Sequence, residues 1–373
     1  MSTPALRALT AHVFRAPLER PVVTSFGAMH DRPMLIVRAE DRDGAVGFGE
    51  VWCNFPAVGA EHRARLIETV LAPLCVGHAF DDPARAFARL TEATAVLALQ
   101  SGEPGPFAQA IAGVDIALWD LAARRAGVPL WKLLGGTSAR IRVYASGLNP
   151  DAPERLAARC FAAGHRAFKL KVGFGRERDL ANLASMREAV GEADLMADAN
   201  QAWTSAEAAA HATAIAPFRL RWLEEPLRCD RPWPEWQALA RTAPMPLAAG
   251  ENIAGDAAFD AAIASRALGV VQPDLGKWGG FSAVVGVARR TLASGARFCP
   301  HWLGGGVGLL ASAQLLAAVG GDGLLEVDAN PNPLREMTCG ALASIDDGSA
   351  DLGDAPGLGA VPDFAALAHF VVP

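Results

Sequence analysis

A chain of 373 residues is long for one ordinary domain, and with 51% hydrophobic and 20% charged residues it has the means to bury a large core. Its formal net charge of −6 gives no basic footprint for nucleic acid or an anionic membrane surface. No run reaches the roughly 18 apolar residues of a membrane-spanning helix. The opening Met1-Ser2-Thr3-Pro4-Ala5 lacks the charged and apolar regions of a secretion signal, so a cytoplasmic location is expected. The cysteines at 53, 75, 160, 229, 299 and 339 are scattered without a Cys-x-x-Cys pair, which fits reduced thiols better than disulfides or zinc.

Residues 5–50 read as a β-meander. Ala5–Arg15 and Pro33–Asp41 have strand composition, Gly44–Glu50 is a glycine-punctuated third strand, and the polar Val22–Arg32 between them is expected to be a loop. A second loop, Val51–Pro56, follows. Helices are expected over Ala60–Leu74, Pro83–Leu99 and Phe107–Ala126, the last on the spacing of Ile111, Val114, Ile116, Leu118 and Leu121, with Gly127 and Pro129 as its stop. These elements make an α+β domain over residues 1–130.

From Ile141 the pattern changes to short strands alternating with helices. The expected strands are Ile141–Ala145, Ala167–Val172, Asp194–Asp198, Leu220–Glu224, Pro246–Ala249, Leu268–Gln272, Ala296–Pro300 and Gly323–Glu326. Eight such units predict an α/β chain with a modified (β/α)8 barrel over 131–345, capped by the N-terminal α+β domain, with 346–373 returning to the cap. A doubly wound sheet would want a Gly-x-Gly-x-x-Gly after an early strand, and there is none. The run Leu303-Gly304-Gly305-Gly306-Val307-Gly308 lacks the Gly-Lys-Ser/Thr of a phosphate loop and reads as a tight strand-to-helix turn.

Function in a barrel sits at the C-terminal strand ends. On the second strand Lys169 and Lys171, two apart, share a face, and two like charges ease each other's deprotonation. From Lys171 onward come Asp198, Glu224, Glu251, Asp274, His301 and Glu326, at intervals of 27, 26, 27, 23, 27 and 25 residues, about one strand–helix unit each. Seven polar groups are therefore expected on one rim. Asp198, Glu224 and Glu251 form an all-oxygen set suited to Mg²⁺, with Mn²⁺ as the alternative ion. Glu225 is expected to face away or to stand behind the ligands. Asp274 beside His301 makes a dyad able to give or take a proton, and Glu326, if protonated, would donate to a substrate carboxylate. Lys171, nearer the strand end, is expected to be the base, and Lys169 to lower its pKa and bind the substrate carboxylate, with Asn200 as a further substrate-binding residue. The cap loops are expected to close over the mouth, Phe26, Trp52, Phe55 and Trp302 as apolar walls and His30 or Arg32 as the polar contact.

These residues resemble the enolase superfamily and, within it, the mandelate racemase subgroup. The resemblance covers nearly the whole chain. It rests on Lys169-x-Lys171, the three carboxylates, Pro273-Asp274-(x)2-Lys277-(x)-Gly279-Gly280, the terminal His301 and Glu326, and Ala117-Leu118-Trp119-Asp120 leading to Leu133-Leu134-Gly135-Gly136. A Lys or His base working with Mg²⁺ is the known pattern of enolase-superfamily sites and is part of what the resemblance implies. It implies abstraction of the α-proton of a small carboxylate, Mg²⁺ taking up the developing charge, in a homo-oligomeric enzyme with no nucleic-acid or membrane partner. The His301–Asp274 dyad points away from the muconate-cycloisomerase branch. The tail Glu326-Val327-Asp328…Asn332-Pro333-Leu334-Arg335 looks closest to members acting on sugar acids or their lactones. Dehydration of an acid sugar is the leading expectation, with racemisation, epimerisation and lactone cycloisomerisation as alternatives. A barrel oxidoreductase using a nicotinamide is the remote rival, and a non-catalytic binding protein would be expected to have lost a rim residue.

Overall fold

The computed structural model describes residues 4–372. Met1–Thr3, on which part of the leaderless reading rests, and Pro373, the end of the returning segment, lie outside the described residues. Three antiparallel strands, β1 (Leu6–Thr24), β2 (Gly27–Asp41) and β3 (Val46–Val51), form the N-terminal sheet. The expected loop over Val22–Arg32 is instead the far end of a long hairpin. Val22 pairs with Met29 and Thr24 with Gly27, so only Ser25 and Phe26 turn the chain. Pro17 and Pro21 cannot donate to the ladder, and the register shifts between Pro17 and Val22. Polar composition marks the segment as solvent-facing, and backbone pairing, which no side chain announces, makes it a strand.

Helices follow over Gly59–Leu66, continued through a π-turn to Cys75, then Pro83–Ser101 and Pro104–Ala126. The last lies against β3 at Gly49, where an added Cβ would run into the carbonyl of Gly113. Glycine is therefore required for strand and helix to approach this closely.

The second sheet carries eight parallel strands in the order of a nearly closed barrel. They are β4 (Arg140–Leu148), β5 (Ala167–Lys171), β6 (Asp194–Asp198), β7 (Leu223–Glu224), β8 (Leu247–Ala249), β9 (Val270–Val271), β10 (Arg297–Phe298) and β11 (Leu324–Asp328), with β11 returning to β4. A short β12 (Ser349–Asp351) adds antiparallel to β4. Most strands are shorter than expected, because apolar residues at strand–loop junctions carry the same composition as the strands themselves.

Each barrel strand, or the residue flanking it in the case of Trp222 and Cys299, gives one inward side chain to a single buried cluster: Tyr144, Ala167, Met196, Trp222, Ala248, Val270, Cys299 and Leu324. Tyr144 and Trp222 come from strands that are not neighbours, yet their rings meet edge to face at 5.5 Å, as they can only inside the barrel. Two residues further along each strand, the same face presents Ser146, Lys169, Asp198, Glu224, Gly250, Gln272, His301 and Glu326. An apolar plug thus supports a polar rim, strand by strand.

The cap is docked onto barrel helix starts by its own carboxylates. Glu50 of β3 accepts from the backbone N–H of Gly305 and, at 2.8 Å, of Gly308, at the start of the helix Gly306–Val319. Asp115 accepts from the backbone N–H and hydroxyl of Ser282 in the helix Gly280–Ala293. The glycine run 303–308 is thus a strand-to-helix turn whose anion-ready N-terminus is filled by a cap residue. Asp120 accepts from Phe48 N at 2.8 Å and from Leu358 N, tying the C-terminal segment to the cap, and Val372 N donates to Val13 O at 3.0 Å.

Candidate active site

Parallel register carries Lys171 beside Asp198 and Asp198 beside Glu224 across three adjacent strands. The side chains at this end of the barrel are linked in one buried network. Lys169 Nζ lies 2.6 Å from Glu224 Oε1, 2.7 Å from Glu326 Oε1 and 3.7 Å from Asp198 Oδ2. Lys171 Nζ donates to Asp198 Oδ2 at 2.6 Å and to Asn200 Oδ1 at 2.8 Å. Across the mouth His301 Nδ1 meets Asp274 Oδ2 at 2.7 Å, its Nε2 pairs with Glu251, and Glu326 Oε2 stands 3.8 Å away. Lys171 (β5) and His301 (just after β10) are three strand steps apart one way round and five the other, so they face each other across the opening.

The charges decide how these groups rest. Burial disfavours the Lys171 ammonium, but Asp198 outweighs it and holds the pKa above the usual lysine value, even though Lys169 pushes the other way. The expected effect of Lys169 on its partner is present and is not the winning one. Burial likewise opposes the imidazolium of His301, while Glu251, Glu326 and Asp274 raise its pKa well above the ordinary range. Burial would lift Glu326, yet Lys169 and His301 pull it below the usual value, and its carboxylate accepts from Ser146 Oγ and, at 3.3 Å, from Trp302 N. The expectation of a protonated, donating Glu326 is therefore corrected: two cations beside it keep it ionised and accepting.

Glu224 uses both oxygens, one on Lys169 and the other on Gln272 Nε2 at 2.7 Å and Trp222 Nε1 at 3.3 Å, and burial pushes its pKa up to about 7 against the pull of Lys169. Glu225 does not face away. It is buried, takes a positive φ of 39°, and accepts from Asn252 Nδ2 at 2.8 and 3.1 Å. Burial, then Glu251 and then Asp198, lift its pKa well above the carboxylate range. Glu225 thus stands behind Glu251, one of the candidate ligands, linked to it through Asn252.

Among the described residues no three His, Cys, Asp or Glu side chains are gathered as a ready-made metal cage. Asp198, Glu224 and Glu251 are each turned onto a cation of the protein: Lys171, Lys169 and His301. The donors still fit a hard dication. They are all-oxygen, on successive strand ends, and the mutual repulsion felt by Asp198, Glu225 and Glu251 would be relieved by positive charge.

The cap reaches the mouth at several points. Ser25 Oγ, at the hairpin tip, donates to Asn200 O at 3.0 Å. Phe26 and Phe55 meet at 5.3 Å and Trp52 and Phe55 at 6.4 Å, so three of the four expected walls form one aromatic cluster. Trp302, the fourth, is corrected. Its indole is 1% exposed, bonded through Nε1 to Gly305 O at 2.8 Å, and packed where side chains at Gly276, Gly304 and Gly308 would collide with it. It belongs to the core because those glycines leave a slot for it. His30 is exposed on the hairpin. Arg32 is buried, with Nη2 2.6 Å from Asp328 Oδ2 and Nη1 without a protein partner. The positions that the sequence pattern did not single out are Ser146, Asn252 and Gln272, and Lys277 and Asp328 appear in it only as parts of motifs. Ser146 and Gln272 were accessible through the two-residue step from the apolar plug.

Comparisons with known proteins agree with this architecture. Residues 8–135 match the mandelate racemase/muconate lactonizing enzyme N-terminal domain, and residues 152–366 match the enolase C-terminal domain-like family. The chain is similar to the D-galactarolactone cycloisomerase of Agrobacterium fabrum, at 31% identity over 99% of each chain. Among solved structures it resembles a mandelate racemase/muconate lactonizing enzyme from Bordetella bronchiseptica RB50, at 60% identity and a TM-score of 0.93, covering 98% of this chain and 99% of that one. It also resembles a racemase from Streptomyces coelicolor A3(2) with bound magnesium, at 30% identity and a TM-score of 0.89, covering 98% of this chain and 100% of that one. The chain belongs to the mandelate racemase/muconate lactonizing enzyme family of the enolase superfamily and is a lyase or isomerase of that kind.

Proposed function

We propose that this member of the family catalyses Mg²⁺-dependent β-elimination from a sugar acid, in the first place dehydration to a 2-keto-3-deoxy acid. The observation that carries the reading is the opposition of Lys171 to the His301–Asp274 dyad across the mouth, with Asp198 and Glu251 between them. Asp198, Glu224 and Glu251 are the residues that would hold Mg²⁺. When bound, the ion supplies Lewis-acid stabilisation of the charge that develops on the substrate carboxylate and offsets the charge of Asp198.

In this reading Lys171, as the neutral amine, takes the α-proton, its Nζ oriented by Asn200 Oδ1. Lys169 keeps an ammonium beside Glu326 and Glu224, where it can receive a substrate carboxylate oxygen. The α-carbon electron pair then expels the β-oxygen, and His301 gives its Nε2 proton to that oxygen while Asp274 fixes the ring through Nδ1. The enol so released tautomerises to the keto acid. The half-buried Trp52 and Phe55 exclude water, while Phe26 packs on Phe55 from the solvent side, and the free Nη1 of Arg32 supplies a donor from the cap.

A second reading has a ring oxygen as the leaving group, giving cycloisomerisation. It is favoured by the aromatic, hydroxyl-poor cap and by the likeness to D-galactarolactone cycloisomerase over almost the whole chain. Racemisation is the outcome if His301 returns its proton to carbon. Incubation with aldonates, aldarates and their lactones in deuterated water with Mg²⁺, followed by proton NMR, separates the three. Keto acid from open acids supports dehydration, keto acid from lactones alone supports ring opening, and α-exchange without keto acid removes elimination. The reading takes the enzyme as cytoplasmic and homo-oligomeric, which light scattering on the purified protein tests for its second part.

A further inference from the structure

Lys277 lies in the loop after β9 and touches both sides of the cap–barrel boundary. Its Nζ stands 4.4 Å from the centroid of the Trp52 ring and donates to Asn252 Oδ1 at 3.0 Å. Glu251 Oε1 is 3.8 Å from the same nitrogen, beyond hydrogen-bond length. Asn252 in turn gives its Nδ2 protons to Glu225, at 2.8 and 3.1 Å, and to Glu251 Oε1 at 2.9 Å. The backbone repeats the link, Trp52 N donating to Gly276 O at 3.3 Å.

We propose that Lys277 is a positioning residue through which the seating of Trp52 governs the availability of Glu251 to a divalent cation. A lysine on a flexible four-carbon stem, with a carboxylate within 4 Å in a largely buried setting, is drawn into contact with it unless something holds it away. Here the Trp52 ring face and the Asn252 carbonyl do so. With the aromatic loop seated, Lys277 spends its charge on the ring and Glu251 keeps an oxygen free of it. With the loop lifted, the ammonium loses its ring partner and closes on Glu251, competing with the cation for that oxygen. Cap docking and cation affinity are therefore linked, each strengthening the other. Among the described residues Trp52 makes no hydrogen bond to a carboxylate and its ring meets the cation of Lys277, so the effect passes through Lys277.

The inference rests on Glu251 being a metal ligand, as proposed above, and the test separates the two. Mg²⁺ binding to the full chain is measured by titration calorimetry without substrate, for the wild type, Trp52→Leu, Lys277→Met and the double variant. Each is checked for folding by circular dichroism. The expected result is a Kd for Mg²⁺ raised about fivefold by Trp52→Leu, the scale of one cation–π contact, and no further change when the same substitution is made in Lys277→Met. Lys277→Arg, which keeps a cation, retains the dependence on Trp52, and Trp52→Phe falls between wild type and Leu. An unchanged Kd in Trp52→Leu, or an equal shift with and without Lys277, overturns the proposal. Failure of the wild type to bind Mg²⁺ overturns the metal reading as well.

Discussion

Lys171 Nζ rests 2.6 Å from Asp198 Oδ2, so the candidate base is held as an ammonium by a candidate metal ligand. Each depends on the other: the lysine gives up its proton only when the charge of Asp198 is engaged elsewhere.

Proton abstraction should therefore require both Lys171 and a divalent cation. In deuterated water, α-hydrogen exchange of a turned-over sugar acid is expected with Mg²⁺ and absent with EDTA. Lys171→Ala should lower it by about 10²–10⁴, the range for a lost general base. Exchange surviving in that variant would assign the base elsewhere.

His301 should act after the base. In His301→Asn, elimination is expected to fall by about 10²–10⁴ while α-exchange persists to a measurable extent. A parallel loss of exchange and product would mean that His301, not Lys171, abstracts the proton.

Glu50 should leave a mark on stability. Burial, opposed by the helix-start N–H groups of Gly308 and Gly305, pushes its pKa from 4.5 to about 7. A carboxyl raised on folding contributes stability that is complete below its unfolded value and is lost as pH rises through the folded one, here between pH 4.5 and 7. The loss amounts to about 3 kcal/mol. Urea unfolding at pH 5 and pH 8 should show the wild type losing about 2.5 kcal/mol more than Glu50→Gln, since part of the loss has already occurred by pH 5. An equal pH dependence in both proteins would refute the assignment.

Arg32 and Asp328 are both nearly inaccessible and 2.6 Å apart. Removing one partner strands the other, so Asp328→Ala should destabilise the fold by about 3–5 kcal/mol. Arg32→Met with Asp328→Leu should recover much of that in thermal unfolding, while leaving the cap without its guanidinium donor. Recovery of turnover as well as stability in the double variant would exclude Arg32 from substrate contact.

The barrel and the membership of its rim follow from local pattern alone. Side chains alternate along a strand, and strand–helix units repeat at near-constant length, so polar residues about 26 apart must arrive at one end of the barrel. Lys171, Asp198, Glu224, Glu251, Asp274, His301 and Glu326 were legible on that ground, and Lys169 through the strand face it shares with Lys171. Which charges meet depends on contacts between distant parts of the chain. That Glu251 rests on His301, that Glu326 is ionised between Lys169 and His301, and that Arg32 pairs with Asp328 some 296 residues away are outcomes of three-dimensional proximity. The same holds for Trp302, whose place in the core is set by glycines at 276, 304 and 308, and for the hairpin over residues 22–32. Local pattern reports which face a residue occupies; ionisation, packing and strand pairing depend on neighbours that the chain brings in from far away.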